Sequence, residues 1–308
     1  MTLLICRPAP GLVHLIKALF RLLVLARIRI EHNKEKGQPM LSDEEKWFFD
    51  LHGYLVLKQA VAGEDVRHMV ELCDRWHAMD DSELPAPLAS YRDANSKPTT
   101  PRSINQVEYV EQVFADLILN REIMRVVLAL TDNCPQHVGT ALTANTKDSD
   151  DLAFHGGLSG GIHNPANDYQ AADGRIFATF LNAGVSLVDV PPGTGFVCIP
   201  GSHKSYFPRP DHIDIYDGSP TVDNVSVKAG DVVLFTEALC HGARKWTEDQ
   251  PRRSVFVRYT TSYASWSPGS APLEAYRHRI SEELYELKQV ASFRHRKKVV
   301  ERLLQDLA

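Results

Sequence analysis

Apolar positions follow one rhythm in the first 130 or so residues of this chain and another after about residue 138. In the earlier part they recur every three or four positions, the period of a helix with one buried face. Leu41-Ser-Asp-Glu-Glu starts a helix, with Ser42 as its cap and Glu45 three residues later to complete a capping box. A short apolar strand, Gly53 to Lys58, follows. Gly63-Glu-Asp-Val then opens a second helix to about Met79, with Val66, Met69, Val70 and Cys73 as its apolar stripe. Asp80 to Pro101 holds four prolines and many polar residues, which predicts a long loop. A further helical region spans roughly Val107 to Leu130, on the spacing of Val110, Val113, Phe114, Leu117 and Ile118.

Beyond Val138, short apolar runs alternate with Gly, Pro, Asn and Asp. They include Ile176 to Leu181, Val185 to Val190, Gly195 to Ile199, Val225 to Val227, Asp231 to Phe235 and Ser254 to Tyr259. This texture predicts a mainly β protein with flanking helices: an antiparallel jelly roll (a double-stranded β-helix, cupin-like). No helix-length segment intervenes, as a parallel βαβ fold would require. From Leu273 the chain turns charged and helical, which suggests a surface helix. The expected organisation is an apolar, basic extension over 1–40, a main domain over 41–270 and a helical tail over 271–308. Within the main domain, helical support covers about 41–132 and the jelly-roll core about 135–265.

Composition narrows the function. A net charge of −5 removes the electrostatic basis for nucleic-acid binding. The five cysteines are an odd number, widely spaced and without a CxxC pair, so neither a disulfide framework nor a zinc knot is expected. A reducing, cytoplasmic compartment fits that usage. Residues 11–30 are rich in Leu, Ile, Val and Ala, but Lys17 and Arg21 interrupt any membrane span. Three readings remain for the segment: a helix packed on the body, peripheral membrane contact, or a mitochondrial transit-type peptide. Oligomeric state is not readable.

Candidate chemistry concentrates in the β region. Leu152-Ala-Phe-His155-Gly-Gly157 lies near its start, Cys240-His241-Gly-Ala near its end, and Arg252 eleven residues after His241. Jelly-roll strands can bring the two histidines together although they are 86 positions apart. Two imidazoles suit Fe(II) and leave positions open for a chelating cosubstrate and O2. An arginine one hairpin strand further on can grip the far end of a dicarboxylate with two parallel hydrogen bonds. Strand alternation allows only one of Arg252 and Arg253 to face the interior.

With these residues in place, the stretch from Trp47 to Tyr259 resembles the phytanoyl-CoA dioxygenase family of Fe(II)/2-oxoglutarate oxygenases. The likeness rests on Phe48-Phe-Asp-Leu-His-Gly-Tyr-Leu-Val, on Pro200-Gly-Ser-His-Lys, and on Ala229-Gly-Asp with His241-Gly-Ala and Arg252. It implies iron and 2-oxoglutarate as cofactors, His155 and His241 as metal ligands, Arg252 as the cosubstrate clamp, and a small-molecule substrate oxidised with O2. One departure is plain. The family's first motif is His-x-Asp or His-x-Glu, whereas here the triplet is His155-Gly156-Gly157. Three readings follow. Chloride could fill the slot at Gly157, giving a halogenase. A carboxylate from elsewhere (Asp168, Asp150 or Asp151, with His163 also near) could restore a hydroxylase. A degenerate barrel could bind ligands without redox chemistry.

Other residues have plainer readings. His203 suits a turn-stabilising role, and Cys198 and Cys240 suit small core positions. Trp246, Trp266 and Tyr259 read as core aromatics, with Trp246 near enough to His241 in sequence to line a pocket. Gly157-Leu-Ser159-Gly-Gly161 matches the serine-hydrolase elbow, and a Ser159, Asp189, His241 triad would complete it. The elbow needs a helix directly after it, and Ile162-His-Asn-Pro opens none.

Overall fold

The structure is a computed structural model that describes residues 40–91, 99–157, 165–265, 267–293 and 295–308. The N-terminal segment, including residues 11–30, and with it Ser159, His163 and Trp266, lies outside the described residues. The first helix, α1 (Asp43–His52), begins with the expected reciprocal cap. Ser42 Oγ accepts from Glu45 N at 3.1 Å and Glu45 Oε2 accepts from Ser42 N at 2.9 Å. It ends at Gly53, whose φ of 82° is left-handed, and the chain turns directly into strand β1 (Tyr54–Leu57). Helix α2 (Gly63–His77) buries Val66, Met69, Leu72, Cys73 and Trp76, extending the stripe read from sequence by one turn.

Two expectations in this part are corrected. The long loop carries a strand, β2 (Ala89–Tyr91), paired with β3 (Ser103–Asn105); three-residue strands are too short to show alternation. The helical region over 107–130 is three pieces: a 3-10 turn at Val107–Tyr109, α3 (Gln112–Ile118) and α4 (Arg121–Leu130). Asn120 sets the second break. Its side chain accepts from Glu122 N and Ile123 N, capping α4, and donates to Ala60 O at 3.0 Å.

The remaining strands are β4 (Pro135–Asn145), β5 (Leu152–His155), β6 (Tyr169–Ala172), β7 (Arg175–Ala178), β8 (Phe180–Ser186), β9 (Gly195–Cys198), β10 (Asp223–Asn224), β11 (Val232–Thr236), β12 (His241–Arg244) and β13 (Arg252–Thr261). They form a jelly-roll core with every pair antiparallel. The larger sheet has the order β1-β11-β8-β13-β4-β3-β2, and the smaller β10-β9-β12-β5. Strands β6 and β7 make a separate hairpin. Asp231 anchors the turn into β11 by accepting from Lys228 N, Gln59 N and Lys58 Nζ, all at 2.9–3.0 Å.

After β13 come a 3-10 segment (Glu274–Arg279), α5 (Glu282–Lys288) and α6 (Lys298–Leu307). Helix α5 is not the surface helix expected. Leu284, Leu287 and Lys288 are buried, and Lys288 Nζ meets Glu108 Oε1 at 2.8 Å and His137 Nδ1 at 3.2 Å. A charged residue reads as solvent-facing in a hydropathy pattern, and a buried partner far along the chain does not register there. No described helix is long and apolar enough to cross a membrane.

Candidate metal centre and dicarboxylate pocket

Strand β12 lies between β9 and β5, and in its pairing with β5 His241 stands opposite His155. The ring centroids are 4.1 Å apart. Each ring is oriented by its own strand. His241 Nδ1 donates to Leu239 O at 2.7 Å and His155 Nδ1 to Ala153 O at 3.1 Å, leaving the two Nε2 atoms with free lone pairs. Burial, and after it the neighbouring His155, push the His241 imidazole down to about 3, so it is neutral at ordinary pH. Its ring packs on Phe235 at 4.6 Å and Phe196 at 6.1 Å.

The Pro200-Gly-Ser-His-Lys turn holds this strand in place. Ser202 Oγ accepts from Cys240 N at 2.8 Å, one residue before His241. His203 Nε2 donates to Asp50 O at 3.0 Å and Lys204 Nζ to Asp50 Oδ2 at 2.9 Å, tying the turn to the end of α1. Burial pushes the His203 imidazole down to about 4.

A third side chain joins the pair. Glu237 sits in the short connection from β11 to β12, and one ligand atom from each of His155, Glu237 and His241 lies within 4.8 Å of the others. Asn182 Nδ2 on β8 donates to Glu237 Oε2 at 2.7 Å. The sequence reading passed over Glu237. The available signal was its place four residues before His241, at the strand end where barrel rims carry functional groups.

The acids named from sequence are engaged elsewhere. Asp168 accepts from Gln170 Nε2 at 3.4 Å beside the β6–β7 hairpin, and its carbonyl accepts from Thr179 N. Asp150 accepts from Thr99 Oγ1 at 2.6 Å, and Asp151 from Tyr216 Oη at 2.9 Å. Asp168 does not fall in the His155, Glu237 and His241 group, because thirteen residues after His155 the chain has already left for another hairpin. Gly157 adopts φ +63°, and a Cβ there would sit 3.5 Å from Ala238 O and Cys240 Cβ.

Arg252 and Arg253 separate as alternation requires. Arg253 points outward to Asp74, with Nε–Oδ1 at 2.6 Å and Nη2–Oδ2 at 2.9 Å. Arg252 is 9% exposed and lines a small, partly open cavity with Ser254, Phe256, Phe196 and Phe235. No carboxylate faces it among the described residues, and burial alone pushes its guanidinium down to about 10, still charged at neutral pH. Phe196 and Phe235 therefore form a wall shared by the Arg252 cavity and the His241 ring.

The remaining candidates are structural. Trp246, read as a core aromatic near enough to His241 to line a pocket, is buried in a core cluster with Tyr54 and Val190 and donates to Gln250 O at 2.6 Å. Tyr259 Oη donates to Ile118 O, and burial raises the Cys198 and Cys240 thiols. For the hydrolase reading, His241 Nδ1 is taken by Leu239 O, while Asp189 pairs with Lys228 Nζ at 2.9 Å.

The fold is thus a jelly roll with two cross-strand imidazoles and a carboxylate at one rim, residue types that suit a divalent metal, and with a buried guanidinium inside that meets no carboxylate among the described residues. The phytanoyl-CoA dioxygenase family profile matches residues 49–254, and the chain belongs to that family. No curated protein matches it. Among solved structures it is similar to HygX from Streptomyces hygroscopicus with nickel and 2-oxoglutarate bound, at 24% identity over 77% of this chain and 94% of that one, TM-score 0.62. It is also similar to EctD from S. alaskensis, at 20% identity over 74% and 79%, TM-score 0.54. The epimerase SnoN from nogalamycin biosynthesis matches at 19% identity over 75% and 84%, TM-score 0.53. These likenesses establish the shared fold.

Proposed function

We propose that this protein is an Fe(II)- and 2-oxoglutarate-dependent oxygenase that hydroxylates a C–H bond of a small molecule. The observation that carries the reading is Arg252, a buried guanidinium that meets no counter-charge among the described residues and shares its aromatic wall with the His241 ring. An unpaired buried charge is costly, and a protein that keeps one is built to receive an anion.

His155 and His241 fit the metal because each ring gives its Nδ1 to a backbone carbonyl and turns its Nε2 toward the other. Iron with its cosubstrate would supply the electrons that activate O2 for attack on an unreactive carbon. The protein's own part is placement. Arg252 would hold the far carboxylate of 2-oxoglutarate by two parallel hydrogen bonds, setting its keto-acid end toward the histidines. Phe196, Phe235 and Phe256 would keep water from that anion, which strengthens the ion pair. In support, HygX, which shares the fold, has been seen with nickel, 2-oxoglutarate and hygromycin B, and EctD with 2-oxoglutarate and 5-hydroxyectoine.

Anaerobic addition of Fe(II) and then 2-oxoglutarate tests the reading. A visible charge-transfer band is expected from the wild type and none from Arg252→Met at the same cosubstrate concentration. A wild type that develops no band, or releases no succinate in air, refutes the proposal.

A further inference from the structure

We infer that Glu237 supplies the carboxylate ligand of this metal centre, so that the acid arrives from the β11–β12 connection rather than from the position two residues after His155. The inference rests on the oxygenase reading above and deepens it.

Three observations converge. The first is position: among the described residues, Glu237 is the acid with an oxygen within 4.8 Å of the ligand nitrogens of both histidines. The second is its state of engagement. Asn182 takes Oε2 at 2.7 Å, which fixes the carboxylate plane, and no ion pair occupies the group among the described residues. Arg258, half-buried on β13, lies within its electrostatic reach. That bond leaves the carboxylate's other oxygen as an acceptor for a metal. A ligating carboxylate held by a hydrogen bond on its other oxygen is the usual arrangement around a metal.

The third observation gives the two glycines after His155 a steric purpose. A Cβ on Gly156 would lie 2.6 Å from both Glu237 O and Leu239 O. Strand β5 thus ends against the very turn that carries Glu237, closer than any side chain permits. Gly157 follows at φ +63°, and its carbonyl accepts from Asn167 Nδ2. The missing acid in the His155-Gly-Gly157 triplet is then not a vacancy for a halide. It is the condition for a different acid to approach from the neighbouring turn, and the site keeps two imidazoles and one carboxylate.

Anaerobic calorimetry with Fe(II) alone, paired with thermal melts with and without Fe(II), tests this on the full chain. The variants are Glu237→Gln, Gly157→Asp and the two combined. The wild type is expected to bind one Fe(II) per chain and to melt higher with it. Glu237→Gln, which keeps the side-chain shape, is expected to weaken Fe(II) binding by about 10- to 100-fold or more, to lose the metal-dependent rise in Tm, and to leave the metal-free Tm in place. The combined variant is expected to stay as weak as Glu237→Gln. Unchanged Fe(II) affinity in Glu237→Gln overturns the inference while leaving the oxygenase reading intact, whether or not the metal-free Tm falls. So does recovery of affinity in the combined variant, which would return the ligand position to residue 157. A wild type that binds no Fe(II) removes the oxygenase reading itself.

Discussion

The inner and outer faces of β13 treat the same side chain in opposite ways. Arg253 faces outward and is met by both oxygens of Asp74. Arg252, one residue earlier, faces inward, where no carboxylate among the described residues answers it. A third buried cation, Lys288, sits deeper than either and is matched by Glu108 at 2.8 Å, with both side chains almost wholly enclosed. The ion pairs of Arg253 and Lys288 are complete within the chain and belong to the scaffold. On the proposed reading, the Arg252 guanidinium is completed by the far carboxylate of 2-oxoglutarate. Burial alone does not mark a functional charge; burial without a partner does.

Breaking the scaffold pair gives the largest expected effect on stability. Glu108→Ala leaves Lys288 buried and uncompensated and is expected to cost about 3–5 kcal/mol, read from urea unfolding. Replacing Glu108 and Lys288 together by methionine is expected to recover most of that loss. A small effect of Glu108→Ala would erase the distinction between paired and unpaired cations.

Arg252→Met makes the opposite prediction. Stability holds or rises, because an unanswered charge leaves the interior, while affinity for 2-oxoglutarate falls by about 100-fold, roughly 3 kcal/mol. A titration of 2-oxoglutarate alongside a urea melt reads both. Loss of stability without loss of binding would place Arg252 with the scaffold.

His203 shows a third way to bury an ionisable group, by keeping it uncharged. Its imidazole is pushed from the ordinary 6.5 to about 4 by burial first and Lys204 second. Between those values the unfolded chain binds a proton that the folded one refuses. Its contribution is therefore fully present above pH 6.5 and is lost as pH falls toward 4, up to about 3 kcal/mol at roughly 1.4 kcal/mol per pH unit. His203→Gln is expected to flatten that part of the stability–pH curve, measured by urea melts from pH 4 to 7.

The smallest effect is expected from Arg253→Met. The Asp74 partner is half exposed, so solvent screens the pair, and the loss should be about 1 kcal/mol with 2-oxoglutarate affinity unchanged. A fall in that affinity would mean that the two faces of β13 are not independent.

Much of the fold was legible before any coordinates. The Ser42–Glu45 cap, the α2 stripe and the run of short apolar segments after Val138 are local patterns, and local patterns are written in adjacent residues. The two histidines and Arg252 stood out because their residue types and order suit one chemistry. What stayed hidden depended on distance. Strand β2 and the burial of Lys288 need partners that are remote or too short to announce themselves. Glu237 was hidden because the eye follows the triplet at His155, while the acid comes from a turn 82 residues further along.

By itself, the sequence determined that the chain would build helices first and a rolled antiparallel sheet afterwards, since the period of its apolar residues changes there. It also determined that only one of two adjacent arginines could face the interior, and left to the tertiary structure which one does. Only the tertiary structure decided that β12 lies beside β5, that His241 therefore stands opposite His155, and that Glu237 turns in beside them. The physical reason is that strand pairing is set by backbone hydrogen bonds and core packing between segments far apart in the chain, and neither leaves a periodic trace in either segment alone.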